Sequence, residues 1–385
     1  MGRLIFKNGH LFDGARFFTA HQLVVEDGII ADILPQTRQV EGEGIDLGGG
    51  TLAPGLIDLQ VNGGGGIMLD GTATIESFAT IAAAHARLGT TGLLPTLITD
   101  SRAATQSVLA TATAAMSRVP GLLGLHLEGP HLDPRRPGCH PPAHIRPLDD
   151  DDIALYCEAK TGLPTLLITL APAAATPAQI ARLTAAGILV SLGHAETSFA
   201  EAGAAFEAGA RMVTHLFNAM SQLGAREPGL VGAALGLPVA AGVIADGIHV
   251  HPESLRLAIY AKHMGELFLV SDAMAPAGTA LKEFTLAGRK ILRRDDALRL
   301  EDGTLAGADL SLPQAVRFLI TEIGLEPGAA LAMATATPAR LIGAEAGRIT
   351  PGRAADLVLF DRNWRLAGTW RGGVALEAQA KSSTA

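Results

Sequence analysis

The sequence predicts an α/β protein: a (β/α)8 TIM barrel with a small β-sandwich domain formed by both chain termini. Three observations carry this expectation. Between residues 54 and 343, short apolar runs alternate with Ala-rich segments of helical periodicity, the signature of repeated βα units around a parallel sheet. Both chain ends have a strand-and-turn texture instead. The 385-residue length exceeds the roughly 250 residues of a typical barrel by enough for a satellite unit.

At the N-terminal end, LIFKNGHLFDG and HQLVVEDGIIADILP read as short strands, with Asn8-Gly9, Asp13-Gly14 and Asp27-Gly28 as hairpin turns. After Pro54-Gly55 the candidate barrel strands are 55–62, 92–99, 122–129, 165–172, 188–194, 212–218, 240–246 and 267–273. Helices are expected between them, for instance over 75–88, 178–186 and 199–208. From Arg348, GRITPGRAADLVLFDRNW returns to strand-and-turn character, and 370–374 adds a further strand, whereas 378–385 has no packing pattern and is expected to fray. The expected division is therefore 1–53 plus 344–385 for the sandwich and 54–343 for the barrel. An open doubly wound sheet is the competing architecture. The barrel is favoured because Glu128, His194, His215, Asp246 and Asp272 all fall at or near strand C-terminal ends, the face on which barrels build active sites.

Composition narrows the function classes. Hydrophobic residues make up 48% and aromatics only 4%, so the core must be assembled from Ala, Leu, Val and Ile. A formal charge of −8 argues against a nucleic-acid partner, which needs a basic face. A small phosphorylated ligand remains compatible, because one or two local cations suffice. No stretch approaches the roughly 20 uninterrupted apolar residues of a membrane span. Two cysteines, Cys139 and Cys157, and an N-terminus without an apolar signal core make the cytoplasm the expected location.

Glu128, His194 and His215 form the candidate metal set. A catalytic zinc or iron takes nitrogen and carboxylate donors on a rigid frame and keeps one position open. Each of the three follows an apolar strand run, and the 21-residue gap from His194 to His215 (215 − 194) is about one βα unit. A single buried histidine is more often bonded to a backbone carbonyl; three such groups at the ends of nearby strands reverse that preference. Asp272, in LVSDA, stands where a carboxylate could act as general base and acid, although an Asp there could also cap the next helix.

Taken together, the motifs resemble the amidohydrolase superfamily and, more closely, its N-acetylglucosamine-6-phosphate deacetylases. The segments concerned are APGLIDLQVNG (53–63), LPTLITD (94–100), GLHLEGPHLDPRRPGCH (124–140), SLGH (191–194), THLFNAM (214–220), REPGLVGAAL (226–235), IADGIHV (244–250), VSDAMAPAG (270–278) and ATATPARLIG (334–343). The resemblance implies hydrolysis of an acetamide on a phosphorylated amino sugar, with metal at Glu128, His194 and His215 and Asp272 moving the proton. It implies that His140 polarises the acetyl carbonyl. Cys139 matches a position lining the substrate; Asn218 and Ala219 match groups that hold the sugar. Arg226 and His249 match phosphate contacts, and Leu305, Ala306 and Gly307 match a loop closing over the sugar. It also implies a homodimer in which a neighbouring subunit contributes to the phosphate pocket. From the residues alone, Arg226 could equally be a solvated loop arginine, and His251 competes with His249.

Two features depart from the pattern of relatives. Where most members carry His-x-His after the first barrel strand, this chain has Gln60 and Asn62, and carboxamides are poor ligands for zinc or iron. One divalent ion, zinc or iron, is therefore expected rather than two. The second is His131 in EGPHL, where relatives usually carry an aromatic: a spare ligand or, preferably, an imidazole taking over the packing of that ring. The same Gln60 and Asn62 count against a cyclic amidohydrolase or nucleobase deaminase, and retention of every proposed ligand counts against a non-catalytic sugar-phosphate binder.

Overall fold

The computed structural model describes residues 2–262 and 265–377, so the expected fraying over 378–385 lies outside the described residues. Eight parallel strands form one sheet: Leu56–Val61, Thr90–Ile98, Leu125–Glu128, Leu166–Leu170, Leu189–Leu192, Met212–Val213, Ala240–Val243 and Leu267–Leu269. Their spatial order is their sequence order. The first and last strands are joined where Asp272 N–H donates to Gln60 O at 3.1 Å and Asn62 N–H donates to Ala273 O at 2.8 Å. Just inside this seam the fully buried Asp58 carboxylate accepts the Ser271 N–H at 3.2 Å on each oxygen. The sheet thus curls into a nearly closed barrel, and the open doubly wound alternative is excluded. Leu56–Val61 is buried at every position, as expected for a strand covered on both faces.

The helices begin where their caps dictate. Thr74 and Ser77 form a capping box at Ile75–Arg87, as do Ser198 and Glu201 at Phe199–Glu207. Thr176 and Gln179 do the same at Pro177–Ala185, where Pro177 at the first position needs no partner for a missing N–H. Among the described residues, no helix is long and apolar enough to cross a membrane.

The chain ends build two further sheets. One contains Ile29–Pro35, His21–Glu26, Arg3–Lys7 and Glu43–Asp46; the other joins Val374–Leu376, Leu366–Arg371 and Leu357–Phe360 from one end to Thr51–Pro54, His10–Phe12 and Phe17–Phe18 from the other. Their facing side chains share a cluster of Phe6, Leu11, Leu23, Val25, Leu52, Leu357 and Trp370, with Phe6 edge-on to Trp370 at 5.1 Å. Asp27-Gly28 is the expected two-residue hairpin, its φ angles of +48° and +84° matching a type I′ turn. Asn8-Gly9 is not a hairpin. Asn8 takes φ +64°, but the strands on its two sides belong to different sheets, so the turn carries the chain from one layer to the other.

Two other expectations are corrected. The sixth barrel strand stops at Val213, because left-handed φ values at His215, Phe217 and Ala219 take the chain out of the sheet. After the eighth strand comes a four-stranded antiparallel sheet that the barrel pattern did not announce: Glu283–Leu286, Arg289–Arg294, Ala297–Leu300 and Leu305–Ala308. Leu305, Ala306 and Gly307 are therefore part of a strand, not a loop.

Behind the segment that follows Glu128, a buried polar group fixes the backbone. Asp152, fully buried, accepts from Arg102 Nε at 3.0 Å and from Arg146 Nη2 at 2.7 Å, and His131 Nε2 lies 2.9 Å from the Tyr156 hydroxyl. Burial pushes the His131 imidazole down to about 4, so it is neutral; with Nδ1–H donating to Arg146 O at 3.2 Å, Nε2 accepts from Tyr156. His131 is thus a packing and hydrogen-bonding residue. Asp152→Ala is expected to destabilise the protein by about 1–3 kcal/mol, because two guanidiniums lose hydrogen bonds to a charged group yet stay partly exposed and near Asp149. A urea midpoint unchanged from wild type would contradict this.

Candidate metal and active site

At the C-terminal mouth of the barrel, Glu128 is the last residue of its strand, while His194 and His215 each stand two residues beyond theirs. His194, His215 and Asp272 have φ of +48°, +31° and +50°. Non-glycine residues hold such angles only where the surrounding structure enforces them, and here the turn aims each side chain across the mouth.

Glu128 Oε1 lies 3.0 Å from His215 Nε2 and 3.3 Å from His194 Nε2, and the two imidazole nitrogens are 3.1 Å apart. His194 uses its other nitrogen to donate to Arg136 O at 2.9 Å, so its Nε2 presents a lone pair to the centre. A lone pair, a second imidazole nitrogen and a carboxylate oxygen converging within 4.8 Å, all buried, match the donor set of a catalytic divalent ion. Burial alone would raise the Glu128 carboxyl, but the imidazoles of His140, His194 and His215 gathered around it hold it well below the usual carboxylate range.

His140 Nε2 is 3.6 Å from Glu128 Oε2. Its Nδ1 accepts the Thr99 N–H at 3.3 Å and lies 2.8 Å from the Thr99 hydroxyl, which places the ring proton on Nε2. Burial and the neighbouring His194 push this imidazole down to about 4. His140 is therefore a neutral donor facing the centre.

Asp272 is held through one oxygen. Asn62 Nδ2 donates to its Oδ1 at 2.6 Å and Gln60 Nε2 donates to the same atom at 3.1 Å, while Gln60 Nε2 also reaches Glu128 Oε1 at 2.9 Å. Burial, then the charge of Glu128, pushes the Asp272 carboxyl up to about 6. Of the two carboxamides, read from sequence only as absent ligands, Gln60 thus bridges the two carboxylates and Asn62 holds Asp272.

A cavity of about 400 Å³ opens over these groups. Its walls include Cys139, Asn218, Ala219, His249, Leu305 and Gly307, but Ala306 turns into the apolar cluster of Ile98, Met274 and Ile291. A Cβ on Gly307 (φ +65°) would stand 2.8 Å from Met274 Cγ and 2.9 Å from Asp272 O, so the wall can approach only without a side chain. Burial pushes the Cys139 thiol up to about 12, leaving it no nucleophile. His249 lines the cavity with Nδ1 2.6 Å from Asp246 Oδ2, whereas His251 caps Pro252–Ala261 by accepting from Glu253 N–H.

Arg226 is on an exposed loop outside the cavity wall. The wall instead carries Arg135 and Arg136, paired with Asp133 at 2.6 Å and Glu196 at 2.5 Å. These arginines and Thr99 were not singled out by sequence, although RR beside PGCH was a visible cationic signal.

Residues 51–376 match the model of the amidohydrolase family. The chain belongs to that family. It is 42% identical over 377 residues to the N-acetylgalactosamine-6-phosphate deacetylase of Shewanella sp. (strain ANA-3), covering 94% of this chain and 95% of the relative. Its structure is similar to that of N-acetylglucosamine-6-phosphate deacetylase from Pasteurella multocida, with TM-score 0.92, 31% identity and coverage of 97% and 99%. A mutant N-acetyl-D-glucosamine-6-phosphate deacetylase from Mycobacterium smegmatis, solved in complex with N-acetyl-D-glucosamine-6-phosphate, superposes with TM-score 0.90 at 28% identity, covering 98% of this chain and 100% of that one.

Proposed function

We propose that this amidohydrolase hydrolyses N-acetyl-D-glucosamine 6-phosphate to D-glucosamine 6-phosphate and acetate, with one divalent ion, zinc or iron, at Glu128, His194 and His215. The observation that carries the reading is a buried carboxylate, Asp272, beside the Glu–His–His group, with His140 presenting a neutral N–H from the side. When bound, the ion supplies Lewis acidity, making a water nucleophilic at neutral pH and polarising the acetyl carbonyl. Asp272 takes the proton of the attacking water on Oδ2, the oxygen that neither Asn62 nor Gln60 engages. His140 Nε2–H donates to the carbonyl oxygen as charge develops there. Asp272 returns the proton to the glucosamine nitrogen, the C–N bond breaks and acetate leaves.

The 42% identity to a relative named for the galacto sugar supports a second reading, N-acetylgalactosamine 6-phosphate, which differs only in the C4 hydroxyl. Comparing kcat/KM on the two epimers decides between them. His249, Asn218 and Ala219 in the wall support a bound sugar phosphate. Arg226 fits the phosphate role as a residue donated to the neighbouring cavity of a homodimer. Leu223 beside it and Leu257 and Tyr260 on the adjacent helix are 62%, 68% and 74% exposed, an apolar face suited to a partner subunit. Arg226→Ala is expected to raise KM for the phosphorylated sugar about 10²-fold and to leave the rate on N-acetylglucosamine itself unchanged. Equal wild-type rates on the free and phosphorylated sugars would remove the phosphate from this reading. Both cysteines are free thiols, in keeping with a cytoplasmic enzyme.

A further inference from the structure

The four-stranded sheet that follows the eighth barrel strand grips both Asp272 and the segment that carries His140. On one side, the Ala308 N–H in its last strand donates to Asp272 O at 3.0 Å. On the other, Arg289 at the start of Arg289–Arg294 donates through Nη2 to Cys139 O, and Cys139 packs against the apolar cluster of Ile98, Leu286, Ile291 and Leu298. Cys139 O belongs to the same rigid peptide unit as the His140 N–H, which donates to Pro137 O at 3.0 Å. That peptide is therefore held at both ends, by its own loop and by the sheet. Thr99 holds the His140 ring at Nδ1. Arg289 itself stands outside the cavity wall.

We infer that Arg289 is a positioning residue for deacetylation: by tying the Cys139–His140 peptide to the sheet that also grips Asp272, it sets the direction of the His140 Nε2–H relative to the general base. This rests on the deacetylase reading. Both groups serve one carbon, since His140 donates to its oxygen while Asp272 serves the attacking water and then the nitrogen. Such groups must be held to within roughly 0.5 Å of their working geometry, yet these two stand 132 residues apart in the chain (272 − 140). The sheet spans the gap: Arg294 pairs with Ala297, and Ala297 with Ala308, so one ladder runs from the strand of Arg289 to the Asp272 contact. A guanidinium suits the task, because its planar fork offers the carbonyl oxygen a charged donor in a fixed direction. Without it the Cys139 carbonyl loses its outside tether, and the imidazole N–H is free to swing from the line on which the oxyanion forms.

The test reads kcat apart from KM on N-acetylglucosamine 6-phosphate, in metal-quantified Arg289→Ala, Arg289→Met and Arg289→Lys, each made in the wild-type and in the His140→Ala background. Methionine keeps an unbranched stem should alanine fail to fold. With His140 present, loss of the guanidinium is expected to lower kcat about 10-fold and to leave KM within about 2-fold of wild type. Lysine, which keeps a charged donor, is expected to recover most of that loss. With His140 already removed, the same substitutions are expected to cost nothing further. An unchanged kcat, or an equal loss in both backgrounds, overturns the inference while leaving the deacetylase reading intact. A raised KM for the phosphorylated sugar at unchanged kcat does the same, and would make Arg289 a phosphate contact. Wild-type enzyme that does not deacetylate the phosphorylated sugar overturns that reading and this inference with it.

Discussion

Asp272→Asn is expected to lower kcat by about 10²–10⁴-fold with metal content unchanged. The substitution is nearly isosteric, and the side-chain oxygen still accepts from Asn62 Nδ2 at the position of Oδ1. What is lost is the second oxygen, the only one with capacity for the water proton. An amide nitrogen there can neither take that proton nor return it to the leaving amine. The acid limb of the wild-type rate profile, where a rate that rises with pH follows deprotonation of the base, should vanish together with the turnover. Steady-state kinetics on metal-quantified protein check both points; full activity in the variant would remove Asp272 from the mechanism.

His215→Ala should abolish activity by a different route. Three buried donors converge at the centre, and removing His215 leaves only Glu128 and His194 of that group. Metal stoichiometry should fall well below one per chain and activity to background. A chelator should do the same to the wild type and lower its melting temperature, since an ion bound only by the native state at 1,000 times its Kd contributes about 4 kcal/mol. Adding the divalent ion back should restore wild type and not the variant. Stoichiometric metal in His215→Ala would dismiss the residue as a ligand.

Much of the fold was legible because parallel strands buried on both faces are written as apolar runs, and all eight were read in their proper order. The end of each run was less so: 212–218 looks like one strand, but the chain leaves the sheet to present His215. That departure is enforced by long-range packing, not by local propensity. The four-stranded insertion was missed for another reason. EFTLAGRKILRRDDALRLEDG has hairpin turns at Ala287-Gly288 and Asp295-Asp296, yet its half-exposed strands lack the apolar signal used for the barrel. In the centre, the clustered Glu128, His194 and His215 and the adjacent Asp272 stood out by residue type. Thr99, Gln60 and Asn62 did not, since a hydroxyl or carboxamide declares its role only through the partner that folding brings to it.

The seam between the first and last barrel strands has a consequence for how the molecule comes to life. Asp58 with Ser271, Gln60 with Asp272 and Asn62 with Ala273 are contacts across more than 200 positions of chain, and each lies within two residues of Asp272 or of the carboxamides that orient it. Loop closure over such a span is late and entropically costly. Seven strands alone would bring Glu128, His194 and His215 together and would still leave Asp272 out of place. Turnover therefore reports that the last stave has been fitted, because Asp272 and the carboxamides that orient it meet only across that seam.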